Sequence, residues 1–199
     1  MGQYYEPILI TKDNKIQHFN RDIDGEYTSA KLTEHSWIEN TMVDTFCNKL
    51  LNKKCRVAWV GDYADEYNKE DEKPNNISDE QLKMLVDERK QEGKGMSFKP
   101  LNVKYTLLVN HTKKEFIDMY DYIQNNTDKD GWCIHPLPLL TAVGNGFGGG
   151  DYRGINKDLV GSWALDLIEI VSCDKCDALI RKGYLSSNKY KFTEQTGEE

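Results

Sequence analysis

Seven of the fifteen glycines fall between Gly144 and Gly161, and five of these, Gly144, Gly146, Gly148, Gly149 and Gly150, stand almost side by side. Glycine costs the most backbone entropy to order and has no side chain to pack. Such a run is therefore compatible with two situations. Either the backbone takes positive φ values that only glycine tolerates, or another group lies close against it. The run sits in GWCIHPLPLLTAVGNGFGGGDYRGINKDLVG, residues 131–161, which also holds Trp132, Cys133, His135, Pro136 and Pro138. Whatever the chain folds into must accommodate this irregular segment beside regular elements.

The regular elements are legible around it. Tyr4 to Thr11 reads as a strand that Pro7 limits to an edge or to a start further on, at Ile8. Lys12 to Lys15 is a turn signal, and Ile16 to Phe19 returns as the second arm of a hairpin. Ser36 and Glu39 have the spacing of a capping box, which predicts a helix from about Trp37 to Leu51 with Ile38, Met42, Val43, Phe46 and Leu50 on one face. Cys55 to Val60 is apolar almost throughout and reads as a central strand ending at Gly61-Asp62. Ser78 and Gln81 make a second capping box, ahead of Leu82, Leu85 and Val86, with Gly93 and Gly95 closing that helix. Val103 to Asn110 is a strand. Thr112 and Glu115 suggest a third box, for a helix carrying Phe116, Tyr120 and Ile123. Trp132 to His135 is a short strand, Ser162 to Val171 a long one, and Tyr190 to Phe192 a possible edge. The order β–β–α–β–α–β–α–β–β predicts an α+β fold: a single mixed sheet with about three helices packed mainly on one face. At 199 residues the chain is expected to form one domain, with an acidic, mobile connection over residues 64–76 and a weakly structured tail over residues 186–199.

Charge and composition narrow the function. The net charge is −7, which disfavours a general grip on nucleic acid, because phosphate contacts need clustered Lys and Arg. No apolar run approaches the roughly 18 residues of a spanning helix, and Met1 to Pro7 lacks the pattern of a secretory leader. The five cysteines leave an odd one, which suits a reduced, cytoplasmic setting. Cys173 and Cys176 form a CxxC with no second pair at zinc-binding spacing, so no metal is expected.

GNGFGGGD is not a dinucleotide fingerprint, since a proline-rich turn precedes it and no helix opens on its third glycine. Nor does a Gly-Lys-Ser/Thr close it as a phosphate loop. Its N–H groups could still line an anion-binding nest, or the segment could be a surface loop shaped by glycine alone. Asp151, Tyr152 and Arg153 follow directly, and Arg153 suits a phosphate or carboxylate. Of His18, His35, His111 and His135, the third and fourth fall at strand ends, as does Asp62. The candidate site is thus catalytic Asp62, His111, His135 and Asp151, with Gly144, Gly146, Gly148, Gly149, Gly150, Tyr152 and Arg153 holding a small anionic ligand such as a nucleotide. This reading requires His111, His135, Asp151 and Arg153 to converge. The triplet Gly-Asp-Tyr occurs twice, at Gly61 and at Gly150. Nothing in the sequence names a cofactor.

The start MGQYY, the stretches EHSWIEN and WVGDY, and HPLPLLTAVGNGFGGGDYRG through GSWALD are similar to a group of small proteins from phages and other mobile elements of low-GC bacteria. The resemblance spans most of the chain and assigns no residue a role. It implies a second class of function, an acidic interaction protein that blocks a host defence protein of CRISPR type or another nucleic-acid-handling partner. The run Asp62, Asp65, Glu66, Glu70, Asp71 and Glu72 would then form one acidic face towards a basic host protein.

Overall fold

The computed structural model describes residues 2–22, 29–66, 77–97, 99, 101–146, 148 and 150–193. The acidic residues Glu70, Asp71 and Glu72, most of the 64–76 connection, Gly149 and the last residues of the tail lie outside them. Nine strands form one mixed sheet within the described residues, flanked by five helices. The strands are β1 (Tyr5–Ile10), β2 (Ile16–Asp22), β3 (Cys55–Gly61), β4 (Lys94–Met96), β5 (Thr106–Asn110), β6 (Glu115–Asp118), β7 (Ala142–Val143), β8 (Leu167–Ser172) and β9 (Leu185–Ser186). Their order is β4-β2-β1-β3-β8-β5-β6-β9, with β7 pairing to the far end of β3.

The α+β class holds, with helices on both faces. Alternation along β3 sends Val57 and Trp59 to one side and Ala58 and Val60 to the other. The first side carries α1 (Thr41–Leu50), α3 (Met119–Asn126) and α4 (Pro136–Leu140), through residues such as Phe46, Tyr122 and Leu140. The second carries α2 (Asp79–Arg89) through Leu82, Leu85 and Val86. It also carries α5 (Cys176–Arg181), whose Leu179 packs on Leu107, Val109 and Phe116. On this second side Glu6 is buried between His18 Nε2 and Arg89 of α2, the guanidinium donating to Glu6 Oε1 at 3.1 Å.

Several elements depart from the sequence expectation for identifiable reasons. Of the three capping-box patterns only Ser78/Gln81 forms, with both reciprocal bonds. At α1 the cap is Asn40, whose side chain accepts from the N–H groups of Met42 and Val43. Trp37 instead bridges Ile134, and Glu39 has φ +73, so the helix cannot reach back to Ser36. Glu115 lies in β6, not in a helix, because residues 111–114 make a tight turn with Lys114 at φ +54 that returns the chain against β5. The helix follows later, capped by Asp118. Trp132 to His135 contributes a single bridge, and Pro136 opens α4 at its first position, where a missing N–H is harmless. The long strand expected from Ser162 begins only at Leu167, after Leu165 at φ +61. Tyr190 and Phe192 are core residues, Tyr190 bonding Glu115 and Trp163, and the edge strand is β9. β4 pairs with β2 and includes Gly95. Pro7 is not on an edge strand, since β1 lies between β2 and β3. It is tolerated there because Trp59 N–H donates to Thr141 and β2 pairs with β1 only from Ile8 onward.

Candidate functional site

The glycine segment is packed against the N-terminal strand. The Tyr5 hydroxyl donates to Asp151 Oδ1 at 2.6 Å, and Gly148 N–H donates to Oδ2 at 2.8 Å. Because the single phenolic proton goes to Asp151, the Gln3 amide nitrogen faces the same carboxylate, 3.0–3.1 Å from its oxygens, and the Gln3 oxygen accepts from Tyr63 N–H. Gln3, Tyr5 and Asp151 are all buried. A Cβ on Gly144 would overlap the Tyr5 hydroxyl, one on Gly148 would overlap Gln3 Cβ, and one on Gly61 would stand 2.7 Å from Gln3 Cδ. These glycines are therefore small to admit the chain's own Gln3 and Tyr5, whereas Gly146 and Gly150 take φ +74 and +89. Asp62 joins the same corner, its Oδ1 accepting from Tyr4 N–H at 3.0 Å. Burial raises the Asp151 carboxyl above its usual value, against the bonds from Tyr5 and Gly148. Burial, then the Asp151 charge, raises the Tyr5 phenol well above its own, which keeps it a donor.

The remaining predicted residues do not join this corner. Tyr152 is buried edge-on against Phe192, with its hydroxyl near the carbonyls of Ile155 and Thr193. Arg153 is exposed and acts on Asp151 through charge. His135 is the N-cap of α4. Its Nδ1 accepts from Leu137 N–H at 3.1 Å, and its Nε2 donates towards Cys47 Sγ at 3.4 Å. Complete burial holds its pKa down to about 3, so it stays neutral and bonded inside the core. His111 donates through Nε2 to Glu169 and accepts at Nδ1 from the Tyr184 hydroxyl, both at 2.7 Å. Burial lowers its pKa, the bond to Glu169 opposes that, and the Lys54 and Lys12 charges add to the fall.

The distance between His111 and Asp62 follows from register. β3 and β5 flank β8 and run the same way, but both Cys55, at the start of β3, and Asn110, at the end of β5, face Ile168. His111 N–H bonds Leu167, the partner of Arg56. Asp62 lies six residues further along than Arg56, at about 3.3 Å per residue, so the two are roughly 20 Å apart. The expected convergence of His111, His135, Asp151 and Arg153 is not present.

A different site stands beside the start of α1. A cleft of about 660 Å³ is lined by Ile38, Leu101, Val103 and Ile123 as apolar walls, with Glu39, Asp44, Lys104 and Tyr105 among its polar groups. Asp44 is 6% exposed, and its Oδ1 is buried with no hydrogen-bond partner among the described residues. Burial raises its pKa to about 6, the Glu39 charge adds to this, and the Glu39 backbone N–H opposes it. Burying a carboxylate without a full set of partners is costly, so this oxygen marks a position where a donor is missing.

No family model, curated protein or solved structure matches the chain.

Among the described residues no group of three or more His, Cys, Asp or Glu is placed to hold a metal ion, and no helix is long and apolar enough to cross a membrane. Asp44 could have been suspected from the sequence: it falls between Val43 and Phe46 on a stripe that α1 buries. Gln3 and Tyr5 gave a weaker signal, because a polar residue two before an aromatic is ordinary at a strand start.

Proposed function

We propose that the protein is a binding module whose cleft beside α1 receives a protonated amine or guanidinium, with Asp44 as counter-ion. The observation that carries this is the unpartnered Oδ1 of Asp44, a buried residue that lines a cleft of apolar walls. An incoming cation gains a charge-assisted hydrogen bond, while the desolvation of Asp44, the usual obstacle to a buried ion pair, is already incurred in folding. The apolar walls suit the methylene stem of such a ligand. This reading belongs with the acidic interaction protein and its basic partner rather than with the anionic ligand of loop 144–154. At that loop Asp62 and Asp151 set two carboxylates where an anion would lie.

The test is a thermal-shift series with agmatine, which carries both groups on a short stem. A dissociation constant on the order of 0.1–1 mM is expected for so small a ligand. At 10 mM and pH 7.5 the midpoint should rise by a few degrees by linkage. At pH 5 Asp44 is mostly protonated, and the affinity should fall about tenfold. Asp44→Asn should abolish the shift at both pH values, and pentanamide, which is uncharged, should give none. An equal shift in wild type and Asp44→Asn would refute the assignment.

A further inference from the structure

Three of the large side chains exposed among the described residues belong to, or pack against, segments that line this cleft. Tyr105, Trp132 and Tyr120 are 59, 55 and 48% exposed. Tyr105 lines the opening itself. Tyr120 lies on α3 one turn before Ile123, a wall residue, and its ring is held 5.2 Å beneath Lys104 Nζ. Trp132 packs against Trp37 with centroids 5.1 Å apart and the rings tilted by 52°. Trp37 precedes Ile38, another wall residue, and Ile38 N–H bonds the carbonyl of Cys133 at 2.9 Å. The rings thus come from three separate segments: Tyr105 lines the cleft, Tyr120 meets its lining residue Lys104, and Trp132 packs on the neighbour of its lining residue Ile38.

Resting on the cation reading above, we propose that the cation is an arginine carried on an exposed segment of a basic partner protein, and that the aromatic rim is the surface on which that segment docks. Aromatic residues dominate the energetics of protein interfaces, and they contribute most around a central desolvated anchor. Here the anchor position is Asp44. The guanidinium is favoured over an ammonium because its planar fork can serve Asp44 and Glu39 together while its face lies on Tyr105. Lys104 is turned onto Tyr120, and the side-chain charge that acts on Asp44 is that of Glu39. A cleft of about 660 Å³ is of the size that holds a drug-sized ligand and exceeds what one short amine fills. Trp37 and Trp132 already pack on each other, which lowers the side-chain entropy that docking there would cost. The net charge of −7 makes a basic partner complementary and disfavours both nucleic acid and a second copy of this chain.

The experiment selects from a library of nonapeptides with a fixed central arginine and randomised flanks. Binding to the full chain is measured by calorimetry beside agmatine. The selected peptides are expected to carry apolar or aromatic flanks and to bind at least tenfold more tightly than agmatine. Replacing their arginine by citrulline should weaken them at least tenfold. Trp132→Ser and Tyr120→Ser, both at exposed positions, should weaken the peptides about fivefold or more, and Trp132→Ser should leave agmatine within twofold. If agmatine binds in an Asp44-dependent way but no peptide exceeds it, or if the two rim variants change nothing, the docking surface is refuted while the cation site stands. If agmatine itself fails, both fall. Sedimentation that shows a wild-type dimer lost in Trp132→Ser would assign the rim to self-association and overturn the proposal.

Discussion

A single carboxyl, Asp44, carries both a stability cost and the proposed chemistry. Its pKa of about 6 in the folded chain lies above the ordinary value of 3.8, so the folded state holds a proton that the unfolded state releases. Its contribution is thus unfavourable above about pH 6, and the penalty disappears as the pH falls towards the ordinary value. A shift of this size corresponds to about 2–3 kcal/mol. Asp44→Asn should therefore raise the melting temperature by about 5–10 °C at pH 7.5 and by much less at pH 4.5. Scanning calorimetry at the two pH values checks this, and an equal change at both would contradict it. His135 offers the opposite case. Its position before Pro136 and its proximity to the glycine run suggest catalysis, yet its ring serves as a helix cap beside Cys47 in the core. Sequence spacing cannot distinguish the two roles, because both place a histidine where a strand-like segment ends.

The element that dominates the sequence, the glycine segment, is explained by packing. Of the two situations its composition allows, both occur. Gly146 and Gly150 take positive φ, while Gly61, Gly144 and Gly148 close on Gln3 and Tyr5. Gly144→Ala would place Cβ 2.9 Å from Tyr5 Cζ and against its hydroxyl. It should cost about 1–3 kcal/mol through overpacking, read as a fall in the urea midpoint with an unchanged slope. An unaltered midpoint would contradict the packing described. Local patterns at other elements were legible in proportion to how local their cause is. Ser78/Gln81 forms its box through two reciprocal bonds within a single turn. Ser36/Glu39 loses to Asn40 because Trp37 is drawn into a bridge with Ile134, nearly a hundred positions away in the chain. Thr112/Glu115 loses because β6 completes the sheet beside β5, and Thr112 instead accepts from Leu167 N–H. Short strands such as β4 and β9 exist only through their partners and leave no periodicity to read.

At the scale of the whole molecule, strand register decides what can be a site. The class of fold follows from apolar strands and amphipathic helices, but the offset between β3 and β5 does not. That offset separates His111 from Asp62 and removes the convergence that strand-end residues suggested. The same fold brings together residues from distant segments, Glu39 and Asp44 with Leu101, Tyr105 and Ile123, around a cleft that no contiguous motif announces. An account in which this cleft binds a basic partner makes Asp44 the group whose ionisation must respond. Carbon-detected NMR titration of the Asp44 carboxyl, with and without saturating agmatine, measures this directly. The midpoint should lie near pH 6 in the free protein and fall by at least one pH unit with agmatine bound. A midpoint that agmatine leaves unmoved would contradict Asp44 as the counter-ion.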